Sequence, residues 1–471
     1  MSIEEIMQQA VLAAAEYSQF DQSGTDAIVK AVFEAAFDQR IRLAKMANQE
    51  TGIGKWEDKV IKNVLASQIV YEDIKDQKTV GIINDDKETG IVEIAQPMGP
   101  ILAIIPVTNP TSTTLFKILI ALKARNPIII CPSKKAVNCC SETAEICYRA
   151  ALAAGAPEGC IQWLTTVTRE QTAALMSHPS MALILATGGP GLVKSAYSSG
   201  TPAIGVGAGN VPVFIEASAD IRFAVDQILE SKTFDNGTVC ASEQAVIVEK
   251  AIATEVKEEF RKQGAKILNP DETLRLTRIA VDPQTGLMNP DIVGKPVQLI
   301  AELAGIAVDD GIRLLVAPLD GVGSDFPLSS EVLAPIIGYY EVANFESGLR
   351  TCIRLNYNGG VGHSASIFSN DEEKILYFSM HMNAGRIVVN TPSSQGAVGA
   401  IYNRLSPSLT LGCGTGGKNI TTDNVTAKHL INILRIARRR PNQRFAAIDK
   451  SLYFNEEVNA DIIQKKYNHN V

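Results

Sequence analysis

Ile3, Ile6, Met7, Ala10 and Val11 recur at the three- and four-residue spacing of a helix. Alanine-rich stretches extend that helical reading over roughly the first 75 residues. The register then changes. In 79-TVGIINDDKETGIVEIAQP-97 two β-rich runs flank the turn-rich DDKETG, which predicts a hairpin. From Pro100 onward short unbroken apolar runs alternate with helical patterns: 101-ILAIIPV-107, 127-PIIICP-132, 182-ALILAT-187 and 211-VPVFIE-216. Continuous apolar strands predict a parallel sheet covered on both faces, and the alternation predicts a doubly wound α/β domain. A second α/β half is expected from Phe234, with a strand at 245-AVIVE-249, and a polar tail rich in Asn, Lys and Glu closes the chain.

Length supports two or three domains, because 471 residues exceed what one core organises. The chain is 46% hydrophobic and 20% charged, which favours large buried sheets over disorder. A net charge of −7 leaves no electrostatic footprint for nucleic acid. The one basic run, 435-RIARRR-440, reads as the solvated end of a helix. The N-terminus MSIEEIMQQA is acidic where a signal peptide is basic. No apolar run approaches the ~18 residues of a membrane span. A reducing, cytoplasmic setting with free thiols is expected. Eight cysteines without a C-x-x-C or a Cys/His cluster make neither a disulfide scaffold nor a structural zinc site.

Three local patterns carry candidate chemistry. The glycines of 188-GGPG-191 follow a strand and precede 192-LVKSAYSSG-200, so backbone N–H groups there could meet a phosphate. The run lacks the dinucleotide G-x-G-x-x-G, and a plain tight turn explains it as well. In 107-VTNPTST-113 the Asn-Pro pair initiates a turn, or Asn109 offers its amide to an oxyanion. In 234-FDNGTVCASEQ-244 a lone Cys240 stands among small polar residues, either a packed thiol or an exposed nucleophile with backbone donors beside it.

Taken in order, TNPTST, ILATGGPGLVKSAYSSG, GVGAGN, SKTFDNGTVCASEQ, EVLAPI, GGVGHSAS, NTPSSQG and PSLTLGCGTGGKN resemble the CoA-acylating aldehyde dehydrogenases. They are most similar to the aldehyde-dehydrogenase half of bifunctional aldehyde-alcohol dehydrogenases. The resemblance implies an α/β fold with a Rossmann-like NAD(P)-binding domain (1–78 and 98–233) and an α/β catalytic domain (234–415). It also implies a small β oligomerisation element (79–97 and 416–440), ahead of a polar tail (441–471). It makes Cys240 the nucleophile that carries first a thiohemiacetal and then a thioester, with Asn109 and the Cys240 N–H holding the oxyanion. Thr187, Gly188, Gly189, Gly191, Pro106 and Thr108 then contact the cofactor, and Glu331 holds the nicotinamide ribose. NAD is the expected cofactor, with NADP tolerated because Ser133, Lys134 and Lys135 follow a strand without an acid. Coenzyme A and a small aldehyde are the expected co-substrates, and the hairpin with a late strand near 429-HLINI-433 implies at least a homodimer.

One departure is informative. Hydrolytic members of the superfamily carry a glutamate that activates water, and Val206 stands in its place, 240 − 206 = 34 residues before the nucleophile. A valine accepts no proton, so the thioester is expected to wait for a thiol, which competes as a thiolate near neutral pH. His363 of GGVGHSAS is the candidate base for the CoA thiol, or a satisfied core histidine. Arg404 of AIYNRLSPS is the candidate anchor for an anionic aldehyde such as succinate semialdehyde or sulfoacetaldehyde, or an exposed loop residue. Asp235 and Glu243 read as caps or supporting partners, and Cys413 as a packed thiol. An acyl-phosphate reductase, a thiolase-like acyltransferase and a non-catalytic packing subunit are the competing readings. The chain is expected to carry no alcohol dehydrogenase half and no amphipathic N-terminal extension.

Overall fold

A computed structural model describes residues 2–282 and 285–469. The chain forms two compact units, Met1–Gln77 with Pro97–Ile431, and Lys78–Gln96 with Asn432–Val471.

The larger unit is built on two parallel sheets. The first runs in the order Ile161–Trp163, Ile128–Cys131, Ile101–Ile104, Leu183–Thr187, Ala203–Val206. Its central strands ILAI and IIIC are buried at every residue, as strands covered on both faces must be. The strand order reverses between Ile101–Ile104 and Leu183–Thr187, and in open α/β sheets ligands bind beyond the carboxyl ends of the strands at such a point. Helix Pro110–Lys123 is buried along its whole length and packs against helices Gln22–Asp38 and Val137–Ala153.

The second sheet has seven parallel strands, with Val211–Ile215 between Glu243–Glu249 and Ala365–Phe368. The chain therefore passes from the first sheet to the second across residues 207–210, ahead of the boundary at 234 that the sequence suggests. The run VPVFI is apolar throughout and carries no mark of which sheet it joins.

In the smaller unit, strands Gly81–Asp86 and Ile91–Pro97 form an antiparallel hairpin, and Ile431–Ala437 completes a three-stranded sheet. The basic run 435–440 is thus not a helix end. Arg435 lies in the late strand, where its guanidinium meets Glu93 at 3.0 Å, and the Arg438 N–H donates to Gly90 O. Short apolar runs do not distinguish strand from helix by periodicity, and here sheet pairing decides. Short helices at Gln443–Ala446, Lys450–Phe454 and Ala460–His469 follow. Among the described residues, no helix is long and apolar enough to cross a membrane.

Candidate active site

Two cavities of the larger unit meet at Cys240. One is a cleft of about 480 Å³ at the carboxyl ends of the first sheet, walled by Pro106, Thr108, Ser133, Lys134, Gly188 and Gly189. The other is a narrow, mostly apolar tunnel walled by Leu65, Phe234, Val239, Val398, Leu409 and Leu411. Asn109, Thr187, Val206 and Cys240 line both. The nucleophile candidate, the candidate amide donor and Val206 thus share one junction.

Local sequence explains each placement. Pro110 opens the buried helix, with its fixed φ suited to the first helical position. Asn109 is the N-cap, yet its side chain does not cap the helix as an asparagine there usually does. Its Oδ1 instead accepts from Lys62 Nζ at 2.7 Å, and its Nδ2 donates to Thr108 Oγ1 at 3.0 Å. An amide nitrogen carries two hydrogens, so one remains for a ligand oxygen.

Cys240 follows a sharp loop in which Asp235 (φ 47°), Asn236 (φ 53°) and Gly237 (φ 73°) are consecutively left-handed. A Cβ on Gly237 would lie 2.6 Å from Ala334 O, so only glycine fits. Beyond the thiol, Gly209 passes so close that a Cβ there would lie 2.2 Å from Cys240 O and 3.3 Å from His363 Cδ2. The Gly209 N–H donates to Glu331 Oε1 at 2.8 Å, which fixes Glu331 in the cleft wall.

Electrostatics at the junction oppose an unassisted thiolate. Burial first, then the carboxylate of Glu331, push the Cys240 thiol up to about 12, against a smaller downward pull from Arg386. Burial also pushes the Glu331 carboxyl up to about 7. The thiolate fraction of a group far below its pKa grows tenfold per pH unit. Alkylation of Cys240 by iodoacetamide in the cofactor-free protein is therefore expected to quicken about tenfold per unit between about pH 8 and 10, above the range in which Glu331 ionises. Glu331→Gln removes a like charge and is expected to quicken it at fixed pH. Peptide mass spectrometry of the alkylated protein checks both, and a rate independent of pH would contradict them.

The sequence model of the aldehyde dehydrogenase family matches residues 1–402. The chain belongs to the aldehyde dehydrogenase family. It is 45% identical over 446 residues to the bifunctional aldehyde-alcohol dehydrogenase of Escherichia coli, covering 94% of this chain and 50% of that protein. It thus spans about half the length of the curated relatives it matches first. An acetylating aldehyde dehydrogenase from Geobacillus thermoglucosidasius is 48% identical, with a TM-score of 0.91 over 93% of this chain and 97% of that one. A Rhodopseudomonas palustris propionaldehyde dehydrogenase with bound propionyl-CoA is 27% identical, with a TM-score of 0.83 over 93% and 94% of the two chains.

Within this aldehyde dehydrogenase fold the remaining candidates separate. Gly191 lies inside the first turn of helix Pro190–Tyr197 and lines neither cavity. His363 is buried and lines neither cavity. Its Nδ1 is 3.1 Å from Ser364 Oγ, and its Nε2 has no partner among the described residues. Burial and the Arg386 guanidinium hold its pKa at about 3, which does not suit a base for a thiol near neutral pH. Arg404 is exposed and lines neither cavity, so the anionic-aldehyde reading loses its residue. Glu243 is buried away from both cavities and accepts from the Ser393 N–H at 2.8 Å. Among the described residues no group of three or more His, Cys, Asp or Glu is gathered to hold a metal.

Sequence reasoning misses the ion cluster under the junction. Lys59 and Lys62 of helix Trp56–Val64 are buried, and both donate to Asp235 Oδ2. Amphipathic spacing alone assigns both lysines to a solvated face. No local signal marks the cationic side as the buried one, since the neighbouring Val60 and Ile61 read as the core face.

Proposed function

We propose that the chain oxidises a small uncharged aldehyde to its CoA thioester, reversibly, with NAD(P)⁺ as hydride acceptor. The observation that carries this reading is Val206, buried at the junction beside Cys240 in a tunnel whose lining contains no carboxylate. Water entering that tunnel meets no carboxylate to take its proton, because Glu331 stands in the wall of the cleft and not of the tunnel. The exposed surface of the tunnel is mostly apolar, and the donors of its one cation, Lys62, are taken by Asn109, Thr238 and Asp235. Both facts support acetaldehyde or a neighbour of similar size over a charged aldehyde.

The cleft suits a nicotinamide dinucleotide. Gly189 is the cap of helix Pro190–Tyr197 and has nothing within 4 Å of where a Cβ would stand, so backbone there is open to a pyrophosphate. Glu331 is the one carboxylate in the wall and supports a ribose-binding role, while Ser133 and Lys134 leave room for NAD or NADP. When bound, the dinucleotide supplies the acceptor for a hydride.

The chain's own residues do the rest. After the Cys240 thiol gives its proton to solvent, the Sγ thiolate bonds to the aldehyde carbon as its oxygen becomes an oxyanion between the free N–H of Asn109 and the Cys240 N–H. Loss of hydride from that carbon leaves a thioester on Cys240. The CoA thiolate then adds to the thioester carbon, the same donors hold the second oxyanion, and Cys240 leaves as a thiolate. The Geobacillus relative's name and the propionyl-CoA bound to the Rhodopseudomonas relative support acyl transfer to CoA.

In the smaller unit, Ile433, Leu434 and Ile436 of the late strand are exposed. An apolar edge strand of that kind invites pairing and supports at least a homodimer.

Two experiments test this function. Acetyl-CoA added to the protein without NADH is expected to release free CoA and leave one acetyl group on Cys240, seen by intact mass. An unmodified Cys240 would contradict the thioester step. Val206→Glu is expected to gain NADH formation from aldehyde without CoA, because a carboxylate buried at the junction can deprotonate water. A folded Val206→Glu protein that still requires CoA would show that the missing carboxylate is not what spares the thioester.

A further inference from the structure

The Lys62 ammonium lies between the two parts of the junction and has all three of its donors engaged. It donates to Asn109 Oδ1 at 2.7 Å, to Thr238 Oγ1 at 2.9 Å and to Asp235 Oδ2. The first acceptor belongs to the oxyanion amide. The other two belong to the loop that ends in Cys240. We propose that Lys62 is a positioning residue that sets the Asn109 amide and the Cys240 N–H in register as the two donors to the reacting oxygen. The proposal rests on the acyl-transfer reading above.

Three observations support it. An amide turned by 180° would present Nδ2 to Lys62, and two donors cannot bond each other, so the ammonium decides which end faces the junction. The loop itself needs holding, because Asp235 and Asn236 are left-handed without being glycine. Asp235 is clamped from every side: Lys59 at 3.0 Å and Thr238 Oγ1 at 2.7 Å on Oδ2, the Lys55 N–H at 2.7 Å on Oδ1, and its own N–H donating to Asp58 Oδ2 at 2.7 Å. Finally, Lys59 already supplies one cation to the Asp235 carboxylate, so neutralising that buried charge does not by itself require Lys62. The second lysine is the one that bridges to Asn109, and it leaves two cations against one buried carboxylate beneath the place where negative charge develops.

The test is a double-mutant cycle of Lys62→Met with Asn109→Ala, reading kcat and KM at saturating CoA and NAD⁺. Lys62→Met is expected to lower kcat about 10- to 100-fold, with KM for the aldehyde and for NAD⁺ changed less than about threefold. In the Asn109→Ala background the same change is expected to cost much less, because part of its effect runs through the amide. Complete alkylation of Cys240 in each variant reports that the loop is intact. If Lys62→Met does not fold, Lys62→Gln, neutral but still a donor to Asn109, takes its place in the cycle. An unchanged kcat, or losses that multiply fully in the double variant, overturns the proposal. Wild-type protein without CoA-dependent turnover would instead reject the acyl-transfer reading itself.

Discussion

Cys240→Ala is expected to lower aldehyde-dependent NADH formation on the order of 10⁴-fold or more. The expectation follows from the junction. Among the described cysteines, Cys240 alone lines both the cleft and the tunnel. Cys131 also lines the cleft, but its thiol is buried at the end of a first-sheet strand, 3.6 Å from Thr172 Oγ1, and burial raises its pKa. Without a sulfur at 240 no covalent carrier links the hydride step to the CoA step. Binding of NAD⁺ is expected to persist within about threefold, since Cys240 is one of many residues in the cofactor wall, and calorimetry separates this loss from unfolding. Turnover above a few per cent of wild type would mean that another group carries the acyl chain.

Asn109 gives the second large effect. Removing one donor from an oxyanion hole costs about 3 kcal/mol, so Asn109→Ala is expected to lower kcat at least ~100-fold while KM for the aldehyde moves only a few-fold. Asn109→Asp is the sharper variant. It keeps an oxygen for Lys62 and nearly the same volume, but it replaces the free N–H with a carboxylate oxygen facing the oxyanion. Its loss in kcat is expected to equal or exceed that of alanine. Steady-state kinetics of the two variants side by side check this. A Asn109→Asp protein more active than Asn109→Ala would show that Asn109 acts through packing and not as a donor.

The junction was legible in the sequence because its parts sit on short local signals. Asn109 precedes the proline that starts a helix, Val206 ends an apolar run, and Cys240 follows a glycine turn. Each signal was ambiguous alone, and their order along the chain is what resembled a family. The two sheets were legible as alternation, but the strand Val211–Ile215 was not assignable, since an all-apolar run pairs equally well in either sheet.

What the sequence hid depends on contacts far apart in the chain. Lys62 reaches Asp235 across 173 residues, and nothing local distinguishes a lysine buried against a carboxylate from one in water. His363 matched a motif, yet its environment decides its chemistry: burial and Arg386 hold it neutral, a fact carried by residues on other elements. For Arg404 the sequence leaves a pocket anchor and an exposed loop residue both open, and the structure shows the exposed one. Its own neighbours Tyr402 and Leu405 are exposed beside it, while only Ile401 of that segment reaches the tunnel.

The measurement that tests the central claim most directly is NADH formation from acetaldehyde and NAD⁺, followed with and without coenzyme A. Turnover that requires CoA and yields acetyl-CoA in equal amount to NADH is the predicted result. Sustained NADH formation without CoA, with acetate as product, would mean that water reaches the Cys240 thioester past Val206 and would contradict the account.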